Sequence, residues 1–450
     1  MTTAIIDQLM GETAPIKSGE RCGPLKETLC IEGGHPLHGL VRVSGAKNAG
    51  LVLMAASIMA DGETILDNLP RIRDVEVMIE ILNDIGVDTS WNEDDSLSIC
   101  PPAGKVKNHT SYDLAKQMRA SNLFLGSMLG RQGEAIVSLP GGCDIGSRPM
   151  DLHIKGVAAL GTEVKIEHGY IFANTKQPSG ARVYLDFPSV GATENIMMIA
   201  AKTPGTSIIE NAAKEPEIVD LANFLNSMGA RIRGAGTDLI KIEGVSSLKA
   251  GRYAIIPDRI EAGTYMVGAA ISGGEIQVEN IIPTHLHPII AKLQETGAHI
   301  EENDRGLLVR AGNKISPVDI KTLPYPGFPT DMQSQMMALL SLAPGSSMIV
   351  ENVFENRFQI VDELKRMGAN IKVEGHTAVI EGVKNLYGAQ VKATDLRAGA
   401  ALVLAALTAE GETEIEDAIH IFRGYEDIVE KLTTLGAKVH KGYMEGEYTD

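Results

Sequence analysis

The sequence predicts an α/β (α+β) chain of two domains, each built from three copies of one unit whose first helix is buried. Three observations predict it. The chain has 450 residues, too many for one ordinary core. A glycine ending a helix-like segment recurs at Gly86, Gly161, Gly229, Gly297, Gly368 and Gly436, at spacings of 68 to 75 residues. A second series, Gly62, Gly133, Gly205, Gly274, Gly345 and Gly411, precedes the first by 23 to 28 residues throughout. Two markers holding one register six times specify a sixfold internal repeat.

Within each unit the elements follow in order. First comes a helix apolar nearly all round, as in Ala398 to Leu407, which must be buried. A short strand follows the upstream glycine, as in Thr206 to Ile209. An amphipathic helix such as Phe358 to Met367 has its apolar residues three and four apart and covers an outer face. The glycine after it suits a left-handed C-terminal cap. Alternating strands such as Ile371 to Val373 finish the unit. Ile31-Glu32-Gly33 repeats the rhythm of Ile242-Glu243-Gly244 and Ile380-Glu381-Gly382, and the sixth unit, ending near His440, lacks that final piece. The N-terminal strands therefore supply it. Residues 28–46 with 258–450 form one domain and 47–257 the other, joined by crossings near 46 and 257 that act as a hinge. Residues 1–27 are expected to be a flexible N-terminal arm.

Composition narrows the function. The net charge of −17 argues against a nucleic-acid partner. It leaves small anionic substrates open, since those answer to a local field. The longest uncharged stretch, Met332 to Val350, is broken by Pro344-Gly345, so no membrane span is expected. The first 27 residues lack a signal-peptide plan, and the chain reads as cytoplasmic. Cys22, Cys30, Cys100 and Cys143 form no CxxC, and neither a disulfide framework nor a zinc site is expected. His285-Leu286-His287 has no local carboxylate or cysteine to complete a metal site. Glu93-Asp94-Asp95 reads as a solvated hairpin tip. Gly234-Ala235-Gly236 lacks the third glycine of a dinucleotide fingerprint, and no Walker A sequence is present.

The residues expected to open the buried helices are Lys47, Arg119, Gly191, Arg259, Asp331 and Arg397. Four cations at equivalent helix mouths are either caps and inter-repeat ion pairs or an anion site, because a helix N-terminus and a neighbouring cation both favour anions. Cys143 lies in the glycine-rich Pro140-Gly141-Gly142-Cys143, five residues before Arg148. Nearby cations lower a thiol pKa and raise its reactivity; the alternative is an incidental surface thiol. Asp331, after the turn Gly327-Phe328-Pro329-Thr330, is a base or hydroxyl anchor, or merely complements the helix dipole.

These residues carry a resemblance. Ser44-Gly45-Ala46-Lys47-Asn48-Ala49, Pro140 to Pro149, Phe328 to Gln333, Phe354-Glu355-Asn356-Arg357-Phe358, Ala393 to Ala398 and Arg423-Gly424-Tyr425-Glu426 resemble the UDP-N-acetylglucosamine 1-carboxyvinyltransferases, in order, from about residue 28 to 440. The resemblance implies a two-domain inside-out α/β barrel-like fold, each domain three βαβαββ repeats. It implies enolpyruvyl transfer from phosphoenolpyruvate to the 3-hydroxyl of UDP-N-acetylglucosamine, the first committed step of peptidoglycan synthesis, with no metal or organic cofactor. Cys143 would be the general acid, Asp331 the base and Arg423 a third catalytic residue. Lys47, Asn48, Arg148, Arg357, Arg397 and Arg423 would hold phosphoenolpyruvate. Arg119, Arg148, Pro149, Met150, Asp151, Leu152, Ser189, Val190, Gly191, Asp331 and Val353 would hold the UDP-sugar, with Glu215 in support. Leu123 stands where an aromatic would stack on uracil. The alternatives are a paralogue acting on another nucleotide acceptor, a shikimate-phosphate transferase of the same fold, and a non-catalytic UDP-sugar sensor. A Lys47-Asn48 pair and a loop cysteine speak against the shikimate enzyme.

Overall fold

The computed structural model describes residues 26–139, 145–146 and 149–444. Residues 1–25 of the expected arm lie outside them, as do Cys143 and Arg148, whereas Lys26 and Glu27, also assigned to the arm, belong to a strand.

Six sheets correspond to the six units. In the third, Thr206–Glu210 runs parallel to Arg182–Tyr184 and antiparallel to Leu239–Glu243, which pairs with Arg231–Arg233. The fifth repeats the plan with Ser346–Val350 between Ile320–Lys321 and Thr377–Glu381, and Asn370–Glu374 outermost. The second has three strands among the described residues, and a single parallel bridge, His109 to Ile136, stands in place of its fourth. The N-terminal strands complete two sheets. Lys26–Glu32 lies antiparallel between Glu412–Glu416 and Lys438–Met444, and His38–Arg42 runs parallel to Glu275–Glu279.

All six glycines after the amphipathic helices have positive φ, from 88° to 103°, where a side chain is strained. Upstream, five of the six do; in the fourth unit Gly273, one residue before Gly274, takes the left-handed position. The helices lie inside and the sheets outside. Leu396 to Leu407 of the helix Leu396–Thr408 are all buried, as its sequence demands. Glycine also serves helix packing: a Cβ on Gly126 would meet the Asn195 backbone oxygen at 2.6 Å, so the helices Phe124–Gln132 and Val190–Lys202 touch backbone to backbone.

The apolar residues divide into two cores. One takes residues 46–255, the other 29–43 with 260–437. The two strands of chain running between them pair with each other. Gly45 bridges Pro257, the Ala46 N–H donates to the Ile256 carbonyl at 2.7 Å, and the Asp258 N–H donates to the Ser44 carbonyl at 2.9 Å. The acidic hairpin tip is tied rather than merely solvated: Arg71 holds Asp95, and Arg252 spans Asp67 and Asp94.

Candidate active site

Between the two cores lies a cleft of about 360 Å³. The buried helices point their N-terminal ends at it, so partly unpaired backbone N–H groups and the positive ends of helix dipoles face the space. Lys47 and Arg259 open their helices. Elsewhere the expected openings shift. Arg119 opens a 3-10 turn ahead of Phe124–Gln132, and Asp331 sits in the 3-10 turn Thr330–Met332 ahead of Gln333–Leu340. Gly191 and Arg397 are second in helices begun by Val190 and Leu396. Carboxylates cap these ends. Asp395 accepts from the Arg397 and Ala398 N–H groups at 2.8 and 3.1 Å. Asp258 caps its own helix through Oδ1 and accepts the Lys47 N–H on Oδ2 at 3.1 Å, joining two helix starts from the two cores.

Lys47, Asn48, Arg119, Val190, Gly191, Glu215, Asp331, Val353, Arg357, Arg397 and Arg423 all line the cleft. The rest of the expected set stands back. Pro149 and Asp151 are exposed and Leu152 is half-buried. Met150 is buried, its sulfur accepting from Asn122 at 3.5 Å. Ser189 caps Val190–Lys202 by accepting from the Ala192 N–H. Ile145, two residues after Cys143, lines the cleft and accepts the Asn356 N–H at 3.1 Å.

The cations are not bare. Asp331 accepts from Arg357 on Oδ1 at 2.8 Å and from Arg397 on Oδ2 at 2.9 Å, both guanidiniums being buried. Burial alone would raise the Asp331 carboxyl, but Arg397 and then Arg357 outweigh it and hold it well below the usual carboxylate range. Asp74 accepts from Lys47 at 3.1 Å and from Arg423 at 2.8 Å, and so bridges the two cores. Its burial is likewise outweighed by Lys47 and Arg423, and it stays ionised. Arg259 reaches Glu217 at 3.3 Å. Glu351, buried, accepts from Thr322 at 2.8 Å, Thr330 at 2.9 Å and the Val353 N–H at 2.8 Å, fastening the turn that carries Asp331 to the loop that carries Val353.

One wall is acidic. Glu194 is buried beside Glu215 and Glu217. Burial first, then those two charges, push its carboxyl up to about 8. A raised carboxyl keeps a proton in the folded chain that the unfolded chain loses, so its effect on stability worsens as pH climbs from the ordinary Glu range toward 8. Glu194→Gln is therefore expected to gain stability relative to the parent as pH rises from 5 to 8, at up to about 1.4 kcal/mol per pH unit. Thermal melts at both pH values check this; a constant difference contradicts it.

Asp74 gives a second expectation. Removing one partner of a buried charge cluster costs about 3–5 kcal/mol. Asp74→Asn should lower the melting temperature, and inorganic phosphate should raise it more in the variant than in the parent, because Lys47 and Arg423 then lack their carboxylate. Equal phosphate shifts would contradict the pairing.

With this geometry in place, the chain's relatives are informative. Residues 31–432 match the family model described as EPSP synthase (3-phosphoshikimate 1-carboxyvinyltransferase). UDP-N-acetylglucosamine 1-carboxyvinyltransferase 1 of Caldanaerobacter subterraneus subsp. tengcongensis is 55% identical, covering 93% of this chain and 100% of its own. The Staphylococcus aureus (strain MRSA252) protein of the same name is 51% identical, covering 92% and 99%. The chain belongs to the UDP-N-acetylglucosamine 1-carboxyvinyltransferase family. Among solved structures, the enolpyruvyl transferase NikO from Streptomyces tendae superposes with a TM-score of 0.83 at 25% identity, over 94% of this chain and all of that one. EPSP synthase from Acinetobacter baumannii shares the fold, with a TM-score of 0.72 at 17% identity over 93% and 100%.

Three buried carboxylates of this family member, Asp74, Glu194 and Glu351, were missed in sequence. Asp74 follows Arg71-Ile72-Arg73, an acid among arginines at a helix start, which is a readable signal. Glu194 sits one turn after Gly191 at the start of a helix that runs on through the apolar stretch Ile196 to Ala201, which is a clearer one. No local pattern marks Glu351, whose side-chain partners Thr322 and Thr330 lie 29 and 21 residues upstream.

Proposed function

We propose that this protein transfers the enolpyruvyl group of phosphoenolpyruvate to the 3-hydroxyl of UDP-N-acetylglucosamine and releases phosphate, at the entry to peptidoglycan synthesis in the cytoplasm. The observation that carries the reading is that the Arg357–Asp331–Arg397 cluster and the Lys47–Asp74–Arg423 cluster line one cleft. It sets an ionised carboxylate among cations, which suits a sugar hydroxyl beside a dianion.

The residues take these roles. Cys143 gives a proton to the methylene carbon of phosphoenolpyruvate, leaving an oxocarbenium-like centre at the adjacent carbon. The sugar hydroxyl attacks that centre while Asp331 takes its proton. Loss of a methyl proton and departure of phosphate then restore the double bond on the new ether. Arg423, Lys47 and Arg148 neutralise the departing phosphate. Arg357, Arg397 and Asn48 position phosphoenolpyruvate. A carboxylate gripped by two arginines is a poor base; when substrate anions share those arginines, its basicity rises toward a useful value. Arg119, Arg148, Val190, Gly191 and Val353 hold the sugar nucleotide, with Pro149, Met150, Asp151, Leu152 and Ser189 behind them and Leu123 offering an aliphatic face to the base. The unit 47–257 and the unit 28–46 with 258–450 close on the substrates about the paired crossings, excluding water.

Proton NMR of an incubated mixture tests this. Vinyl proton signals on the 3-ether of the UDP-sugar are expected. A UDP-sugar that binds and stays unchanged beside intact phosphoenolpyruvate would favour a sensor.

A further inference from the structure

We propose that Cys30, His440 and Glu412 form a site for a divalent metal ion of the zinc type, on the solvent face of the sheet that joins the first and last described strands. Lys26–Glu32 is the central member of the three strands concerned, with Glu412–Glu416 on one side and Lys438–Met444 on the other. Cys30 and His440 are direct cross-strand partners. Glu412 pairs with Glu32, two residues along, so it shares the face of Cys30 while Leu29 and Ile31 point into the core. The thiol, a ring nitrogen and a carboxylate oxygen all lie within 4.8 Å of one another. Tetrahedral zinc, with bonds of about 2.0–2.3 Å, sets its ligands about 3.3–3.6 Å apart. Small rotamer changes on a fixed, hydrogen-bonded backbone close that gap.

The chemistry of the set is selective. Sulfur and imidazole favour zinc or cobalt over magnesium or calcium. A thiolate and a carboxylate together balance the charge of a divalent ion, the thiol proton passing to solvent on binding. Glu414, directly opposite Cys30 and held by Gln390 at 3.3 Å, adds a second negative charge beside the site. The side chains of Glu412 and His440 have no hydrogen-bond or ion-pair partner among the described residues, so neither has to leave one to bind. The ligands come from positions 30, 412 and 440, which is why no spacing motif shows them. The ion would clamp the strand Lys26–Glu32 to both neighbours and stabilise the closing sheet by mass action.

The reduced, metal-free full chain is titrated with Co²⁺ and then displaced with Zn²⁺. One equivalent should bind with a thiolate-to-cobalt charge-transfer band in the near ultraviolet, and Zn²⁺ should raise the melting temperature. Cys30→Ser should abolish the band and the thermal shift while leaving phosphate release unchanged. His440→Ala and Glu412→Gln should each weaken binding by about tenfold or more, and Cys143→Ser should retain the site. Far-ultraviolet circular dichroism establishes that each variant is folded. A band that survives Cys30→Ser, one lost only in Cys143→Ser, affinity unmoved by His440→Ala, or no saturable binding to the parent overturns the proposal.

Discussion

Cys143→Ser lowers turnover by about 10²–10⁴-fold, the usual contribution of a positioned general acid, whereas Cys30→Ser leaves turnover unchanged. The difference rests on setting. Cys143 follows three small or turn-forming residues and stands five residues before Arg148, and its neighbour Ile145 lines the cleft. Cationic surroundings bring a thiol from about 8.5 toward neutral pH, where it both donates and recovers a proton. A serine hydroxyl does neither. On the proposed reading this thiol is nucleophilic enough to open the epoxide fosfomycin, and peptide mass mapping should then find the adduct on Cys143 and nowhere else. Equal turnover in Cys143→Ser and the parent, or an adduct on another cysteine, would remove the thiol from the mechanism.

The second large effect is at Asp331. Asp331→Ala should lose about 10²–10⁴-fold in turnover as the base disappears. It should also lose about 3–5 kcal/mol of stability, because Arg357 and Arg397 are left buried against each other. Asp331→Asn separates the two consequences. Its amide oxygen still accepts one guanidinium hydrogen bond, so more of the stability survives while turnover stays low. Steady-state rates beside thermal melts for both variants check this; an Asn variant with parental turnover would show that Asp331 only organises arginines. The acid limb of the pH–rate profile bears on the same point. Asp331 is held well below the usual carboxylate range, so its stabilising pairs persist as pH falls through that range and are lost only below it. Acid inactivation between pH 5 and 4 should accordingly be the same in the parent and in Asp331→Asn.

Much of the fold could be read in the chain because the repeat writes each instruction six times. The cap glycines Gly86 and Gly436 sit 350 residues apart in sequence and adopt φ of 88° and 96° for one reason, a left-handed turn after an amphipathic helix. Closure of the last unit by the N-terminal strand was likewise legible, since Ile31-Glu32-Gly33 copies a rhythm the sixth unit lacks. Cleft cations at helix mouths were legible too: Lys47, Arg119, Arg259 and Arg397 stand at one position of the repeat. What could not be read is pairing across the cleft. Asp74 contacts Arg423 over 349 positions of sequence, and no periodicity carries that contact. Hydrogen-bonding detail also shifted the helix starts, because 3-10 turns at Arg119 and Thr330 absorb several residues before the α-helix begins. The net charge of −17 gave no sign of the cleft, where cations and carboxylates lie side by side.

Phosphate release from phosphoenolpyruvate, measured in parallel with UDP-N-acetylglucosamine, UMP and shikimate 3-phosphate, tests the central claim most directly. Rapid, saturable release with the UDP-sugar alone is predicted. Release driven by shikimate 3-phosphate or UMP, or no release with any acceptor while the UDP-sugar still binds, would contradict it.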